Sequence, residues 1–541
     1  MPRTPNALEA VAEWRAVLGA EHVWTDDSRI APYRASADGL TRRIPCVLRP
    51  GTTAEVQQLV VIARRHRIPV HPISRGRNWG LGSRLPVRDG IPVVDLSRMN
   101  RIREINPAGL YAVLEPGVTQ GQLFDRIVAD DLPVLLNVTG SGRDTSLIGN
   151  ALDRGVGYFA SRADALSGFE VVLGDGRLLR TGFAHIEGAR TAHCYRHGIG
   201  PSLDGLFAQS GGGIVTAAGF PLLARPEAHA SFVARIARED RLAPLLDTLV
   251  RLRRAGVLQT VVHVGNRMRT VVTLGPLVEE RLEEQGLRSP EARRALARSW
   301  IQSGGFGPWS AVGGVMGTAA CVRTARQEIT RELRGTARVV WLNDARVAAA
   351  RRILGALAFL PQFRRQWILL RASEPLYRLT RGVPTDEPIK SVYWPLGESY
   401  AGAPLNPDPS GCGVLYALPM LPADGRAARA AVDATDAICR RRGFEHYTTL
   451  NTVDERAIEG VITIAFPRAD AARADAARTT IAEIEDALTG MGWPPYRVGI
   501  GSMPRIARSG DVFWEVARDL RRALDPDDIV APGRYEIAPG A

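Results

Sequence analysis

The stretch from His71 to Gly82, "HPISRGRNWGLG", puts two arginines and three glycines where the apolar run "IPVHPI" ends. The run reads as a short buried strand, and the residues after it read as a turn. Gly76, Gly80 and Gly82 let successive backbone amides converge, while Arg75 and Arg77 add charge-assisted donors, a composition suited to an anion. A tight surface turn with solvated arginines has the same composition. Three phosphate signatures are excluded: there is no GxxxxGK[ST], the glycine spacing is not GxGxxG, and a kinase loop would need HRD and DFG companions. A pyrophosphate fits the turn, but the turn alone does not name its carrier.

Upstream, "TTAEVQQLVVIARR" opens with a capping box from Thr52 to Glu55 and buries Val56, Leu59, Val60 and Ala63 at helical spacing. Downstream, "PVVDLSRMN" and "YAVLEPG" read as strands, and Thr119 with Gln122 starts a helix through Phe124 and Ile127. "SGFEVVLGDGRLLRTG" is a hairpin turning at Asp175–Gly176. Glycine-rich loops span 139–158 and 209–220, and the interleaved Ile148, Val156, Ile214 and Val215 mark them as packed rather than solvated. The pattern changes near residue 226. "SFVARIARE", "VLQTVVHVG" and "RTVVTLG" read as strands; "VEERLEEQG", "SPEARRALARSW" and "DARVAAARRILGALAFL" read as helices. Residues 371–413 read as one long aperiodic region, of the length that often carries function. Helices near 424–442 and 472–488 flank the strand "VITIAFP", and an amphipathic helix closed by a Pro-Gly turn ends the chain. The class is α+β.

The 541 residues are about three common domain lengths, and 45% hydrophobic against 23% charged residues is ordinary for a globular enzyme. The net charge of +12 is spread along the chain without an RNA-binding or zinc-finger pattern, so no nucleic-acid partner is expected. No apolar run is long enough to span a bilayer, and the first twenty residues lack an export signal, so no membrane partner is expected and a cytoplasmic setting is the default. Five widely spaced cysteines form neither a zinc pattern nor a disulfide framework, CxxCH is missing, and no metal site is expected.

The runs "PISRGRNWGLG", "TSLIGNALDRGVGY", "GPSLDGLFAQSGGGIVTAAGF" and "ALDPDDIVAPGR", in this order over nearly the whole chain, strongly resemble FAD-linked oxidoreductases of the vanillyl-alcohol oxidase and p-cresol methylhydroxylase family. The resemblance implies a two-domain PCMH-type FAD-binding fold, with a central antiparallel-sheet cap domain covered by helices. The expected division is 1–225 for the first part of the FAD-binding domain, 226–495 for the cap, and 496–541 for a C-terminal return. It also implies a homodimer, and it implies hydride transfer to flavin N5 from a benzylic or allylic carbon of a para-substituted phenol or related aromatic alcohol, with O2 or a separate electron acceptor reoxidising the cofactor.

Carried over by position, the resemblance puts Arg75, Gly76, Arg77 and Asn78 at the pyrophosphate. Ser146, Gly149, Asn150 and Gly157 fall at the flavin and ribityl region, Ile214 and Thr216 at the adenine and ribityl side, and Arg534 is a late polar contact. Tyr496 and Arg497 in "PPYRVGIGSM" resemble the pair that holds a phenolate oxygen, whose electrons help expel hydride. Asp144 is the local choice for a catalytic acid, with a turn-capping aspartate as the alternative. Tyr416 and His446 are expected in the substrate pocket, and the order of the fold brings Asn451 within its reach too. The sequence departs from the family in three places. "GLG" puts Leu81 where a phenolate-binding tyrosine is usual, and "FASR" replaces "TPYG" after Tyr158. No histidine lies near "GCGVLYALP", where Val414 aligns with the flavin-linkage residue, so non-covalent FAD is expected. Leu81 leaves open a bulkier, non-phenolic alcohol or secondary metabolite as substrate, and a flavin-fold protein that binds aromatic ligands without turnover is the remaining alternative.

Overall fold

The computed structural model describes residues 5–163, 165–400 and 404–537. The first part of the chain builds two small sheets. In one, strand Val47–Leu48 pairs parallel to Val93–Asp95, which pairs parallel to His71–Ile73, and Val23–Trp24 lies on the outer edge. In the other, five antiparallel strands run in the order Ile102–Asn106, Tyr111–Leu114, Gly213–Pro221, Ser167–Leu173, Leu178–Arg180. The helix Thr53–Arg65 begins where its cap predicts. Thr52 Oγ1 accepts from the Glu55 amide, and Glu55 accepts from the Gly51 amide rather than from Thr52.

The chain end returns to this region. Val70 donates to the Ile529 carbonyl at 2.7 Å and accepts from the Ala531 amide at 2.7 Å, and Ile529, Val530 and Ala531 are buried with Val70 and Val94. Asp525 anchors the return by accepting from the amides of Ile529 and Val530.

Residues 228–467 form one antiparallel sheet. Its order is Arg338–Leu342, Ala228–Ile236, Trp309–Gly317, Val262–Asn266, Tyr447–Thr452, Ala457–Pro467, Cys412–Ala417, and Met420–Pro422 also pairs with Ala457–Pro467. Because side chains alternate along a strand, the register sorts them into two faces. One face carries Phe232, Val264, Ala311, Leu450, Ile462 and Ile464, packed beneath the helices Leu242–Arg254, Ala319–Glu332, Gly425–Arg442 and Ala471–Gly490. The other face meets the helices Arg267–Glu284, Pro290–Ser303 and Pro361–Leu379 at one end and the glycine-rich loops of the first sheets at the other. The fold is therefore a two-domain α+β fold: a domain built on the two small sheets and their glycine-rich loops, and an antiparallel-sheet cap wrapped by helices.

Three local expectations are corrected. "RTVVTLG" is not a strand but the first half of the helix Arg267–Glu284; Asn266 caps it by accepting from the Arg269 amide, and Val271, Leu274, Val278 and Leu282 bury at helical spacing. The β-branched run suggested a strand, and cap plus period override that preference. Residues 371–413 are not aperiodic throughout: the helix Pro361–Leu379 runs into them with Pro375 inside, and short turns follow at Glu387–Ile389, Lys390–Tyr393 and Trp394–Leu396. The second glycine loop ends at residue 212. Gly213–Pro221 is the central strand of its sheet, and its glycines admit neighbouring side chains: a Cβ on Gly219 would lie 2.5 Å from the His193 ring.

Candidate functional site

The second face of the cap sheet is polar. Tyr416 lies opposite Thr463, and Thr463 opposite Tyr447, so two phenols and a hydroxyl form one row across three strands. Four residues along, Asn451 lies opposite both Glu459 and His263, and its Oδ1 is 2.7 Å from His263 Nδ1. A sheet face buried against protein is ordinarily apolar, so a polar one marks a place where something other than side chains is accommodated. Burial pushes the Glu459 carboxyl up to about 7 despite the nearby Arg497 guanidinium, and pushes His263 down to about 4. Glu459 Oε2 and His263 Nε2 have no hydrogen-bond partner.

The side facing the cap, from the first domain, is organised by Asp153, only 7% exposed. Its Oδ2 accepts from Asn78 Nδ2 at 2.7 Å and its Oδ1 from Arg534 Nη2 at 2.9 Å, while Arg497 Nη1 lies 3.3 Å from its carbonyl and 3.7 Å from its carboxylate. One carboxylate thus gathers the opening turn, the C-terminal return and the arginine beside the cap. Burial alone would lower Arg497, but the Tyr496 phenol and Asp153 more than offset this and hold it fully charged. Burial likewise raises the Tyr496 phenol, against the pull of Arg497.

The two sides meet closely. Gly80, at φ +75, lies against the Tyr416 ring, and a Cβ there would fall 2.5 Å from Tyr416 Cε2. The Tyr158 and His263 rings are 4.5 Å apart between centroids. Trp79 Nε1 donates to Asn406, and Ser83 Oγ donates to Asp408. Glu459 and Tyr496 also line a cavity of about 380 Å3 with Met420, Val453, Leu166 and Phe169.

The sequence-predicted residues divide into those that converge here and those that do not. Asn78, Arg534, Tyr496 and Arg497 surround Asp153, and Leu81 and Tyr416 lie beside them: the Leu81 carbonyl accepts from the Ile500 amide, and Tyr416 touches the loop at Gly80. Ser146 caps the helix Leu147–Leu152 through the Gly149 amide and donates to the Pro116 carbonyl. Asn150 accepts from Arg162, and Gly157 leaves room for the Asn137 side chain. Thr216 Oγ1 donates to Glu170, and Ile214 is packed in the core with Val172 and Val530.

Two expectations are corrected. Asp144, expected as a catalytic acid or a turn cap, is instead ion-paired: its carboxylate takes Arg75 on one oxygen and Arg77 on the other, at 2.7 Å for Arg77 Nε. His446 shares the parity of Leu450 rather than that of Tyr447, so it faces the covering helix. Its ring nitrogens contact Thr448 Oγ1 at 2.8 Å and Asp436 at 2.6 Å.

Sequence reasoning missed Asp153, Arg269, Glu459 and His263, while Asn451, expected at the pocket, does lie on the polar face. Asp153 had a signal, an acid inside the packed glycine loop "GNALDRGVGY". The cap residues had none until strand register was known.

The donor set suits an extended dinucleotide. Arg75 Nε and Arg77 Nη1 are buried without partners at a turn whose Gly76, Gly80 and Gly82 all have positive φ, so guanidinium and amide donors converge there. Such a turn, next to the polar face of the cap, fits a flavin dinucleotide. A family profile described as FAD binding domain matches residues 44–182. The chain is similar to 1'-carboxy-chondrochloren decarboxylase of Chondromyces crocatus (34% identity, 98% of this chain and 97% of the relative). It is also similar to the 4-cresol dehydrogenase [hydroxylating] flavoprotein subunit of Pseudomonas putida (27% identity, 98% and 95%). Among solved structures, p-cresol methylhydroxylase with substrate bound superposes with a TM-score of 0.84 at 26% identity over 99% and 98% of the two chains. The chain belongs to the PCMH-type FAD-binding oxidoreductase family, that of p-cresol methylhydroxylase. It is an FAD-dependent enzyme of the hydride-transferring kind.

Proposed function

We propose that this enzyme oxidises a para-substituted phenol or related aromatic alcohol at its benzylic or allylic carbon. The observation that carries the reading is Asp153, which ties Arg497 at the cap to Asn78 and Arg534 of the flavin-binding domain. FAD, when bound, supplies a two-electron acceptor for the hydride.

Arg75, Arg77 and the amides of the 76–82 turn hold the diphosphate, and Arg534 offers positive charge next to Asp153. Arg497 and the Tyr496 hydroxyl hold the substrate's phenolic oxygen as an anion, which raises the electron density that drives hydride off the benzylic carbon attached para to that oxygen. Asp153, rather than Asp144, fixes the Arg497 guanidinium, because Asp144 is spent on Arg75 and Arg77. Glu459, poised near pH 7 in the cavity wall, is placed to take or return a proton at the oxidised side chain. The cresol dehydrogenase and p-cresol methylhydroxylase relatives are named for substrates of this kind. Reoxidation by O2 or by a separate acceptor, non-covalent FAD, a cytoplasmic setting and a homodimer complete the reading. Val414, buried on its strand, is no linkage residue.

The test is anaerobic mixing of the purified yellow protein with a panel of 4-alkylphenols and cinnamyl-type alcohols. Bleaching of the flavin by at least one of them, with colour released on acid precipitation, is expected; readmitted air then separates oxidase from dehydrogenase. No bleaching by any compound, with FAD bound, contradicts oxidation and favours a binding protein.

A further inference from the structure

The polar face of the cap holds a second guanidinium that the phenol-binding pair does not explain. Arg269, in the first turn of the helix Arg267–Glu284, lies back across the sheet: Nε donates to Thr449 Oγ1 at 3.0 Å and Nη2 to Thr463 Oγ1 at 3.5 Å. Gly265, opposite Thr449, leaves room for the stem, since a Cβ there would lie 3.0 Å from Arg269 Cγ. Protein surrounds the head group closely enough that burial lowers its pKa, yet the residue keeps part of its surface accessible.

Its neighbours are neutral. The phenols of Tyr416, Tyr447 and Tyr158 surround it, and among the described residues no Asp or Glu forms an ion pair with it. Four arginines nearby do have such partners: Arg75 and Arg77 on Asp144, and Arg497 and Arg534 on Asp153. A guanidinium has five donors, and two weakly accepting hydroxyls leave most of its charge uncompensated in a low-dielectric setting. Sequence changes that removed the charge would relieve this cost, so the missing anion is expected from outside the chain. The Tyr416 phenol feels the charge of both Arg269 and Arg497, so the two cations approach one ring from different elements.

We propose that Arg269 binds a carboxylate carried on the substrate's side chain, while Arg497 holds the opposite, phenolic end. The substrate class is then an aromatic acid: a phenol with an anionic side chain, bound between two cations, with the oxidisable carbon between them. A planar carboxylate matches the guanidinium fork in a bidentate pair, and the surrounding tyrosine hydroxyls satisfy its remaining lone pairs. This rests on the phenol-oxidising reading for what lies at Arg497, but its own content is the second anchor.

The probes are 4-hydroxyphenylacetate, 3-(4-hydroxyphenyl)propanoate and 4-(4-hydroxyphenyl)butanoate, each beside its primary amide, titrated into the FAD-loaded enzyme. Binding is read by calorimetry and by perturbation of the flavin spectrum, independently of turnover. At least one acid is expected to bind tenfold or more tightly than its amide, and Arg269→Gln is expected to bring that acid-to-amide ratio close to one. Should Arg269→Gln fail to fold, Arg269→Lys and the wild-type ratio carry the test. Equal affinity of acid and amide across all three lengths in the wild type overturns the proposal, as does a ratio that survives loss of the guanidinium. Failure of the oxidation reading looks different: the acid binds preferentially while no compound bleaches the flavin.

Discussion

The two faces of the cap sheet share strands and backbone hydrogen bonds but face different surroundings. Ile462 and Ile464 point under helices and are 2% and 0% exposed; Thr463, between them, points at Arg269 with Tyr416 and Tyr447 on either side. One face stabilises the domain by removing hydrocarbon from water. The other forgoes that gain and keeps hydroxyls, an amide, a carboxyl and a guanidinium next to the glycine loops. The contrast teaches that stability and site chemistry are divided by strand parity, so neighbouring residues answer to different selection.

Substitutions on adjacent positions test that division. The largest stability loss is expected on the helix-covered face: Ile464→Ala should cost about 2–5 kcal/mol by opening a cavity beside Leu415 in the core under the helix Ala471–Gly490, read by thermal or urea unfolding. Next comes Glu459→Gln. In the folded protein Glu459 titrates near 7, against 4.5 ordinarily, because burial disfavours its charge. Below pH about 4.5 both states are protonated and the group is neutral in its effect. Between there and about 7 the unfolded chain gives up its proton first, so the wild type loses stability as pH rises, by up to about 3 kcal/mol. Glu459→Gln should therefore gain on the wild type over that window and hold the gain above it; parallel stability–pH profiles would break the assignment. Glu485 titrates near 7 for the same reason, but its effect is common to both proteins and cancels in the difference. The smallest effect belongs to Thr463→Ala, which removes one long hydrogen bond and should change stability by less than about 1 kcal/mol. A loss at Thr463 equal to that at Ile464 would erase the distinction between the faces.

Much of this was legible beforehand and some was not, for physical reasons. The helix Thr53–Arg65, the Asp175–Gly176 hairpin and the basic glycine turn are local: cap, turn residue and period lie within a few positions of one another. The strand Trp309–Gly317 went unread, because Gly313 and Gly314 stand where strand formers are expected. They are there to admit Phe232 and His229 from the next strand, a tertiary fact. At the site, Arg497 and Asn78 were legible from motifs. His446 was misplaced because a one-residue parity decides which face a side chain joins, and Arg269 was hidden inside a segment read as a strand. Asp144 and Asp153 look alike in sequence; only their partners separate the clamp for Arg75 and Arg77 from the hub at Arg497.

The most direct test of the central claim compares the rate at which 4-ethylphenol bleaches bound flavin in the wild type and in Arg497→Ala, mixed anaerobically at saturating substrate. If Arg497 holds the phenolic oxygen where the polar cap face meets the flavin domain, bleaching slows by roughly tenfold to a thousandfold while FAD stays bound. Equal rates in the two proteins, or correctly folded wild-type protein that takes up no FAD, would contradict the account.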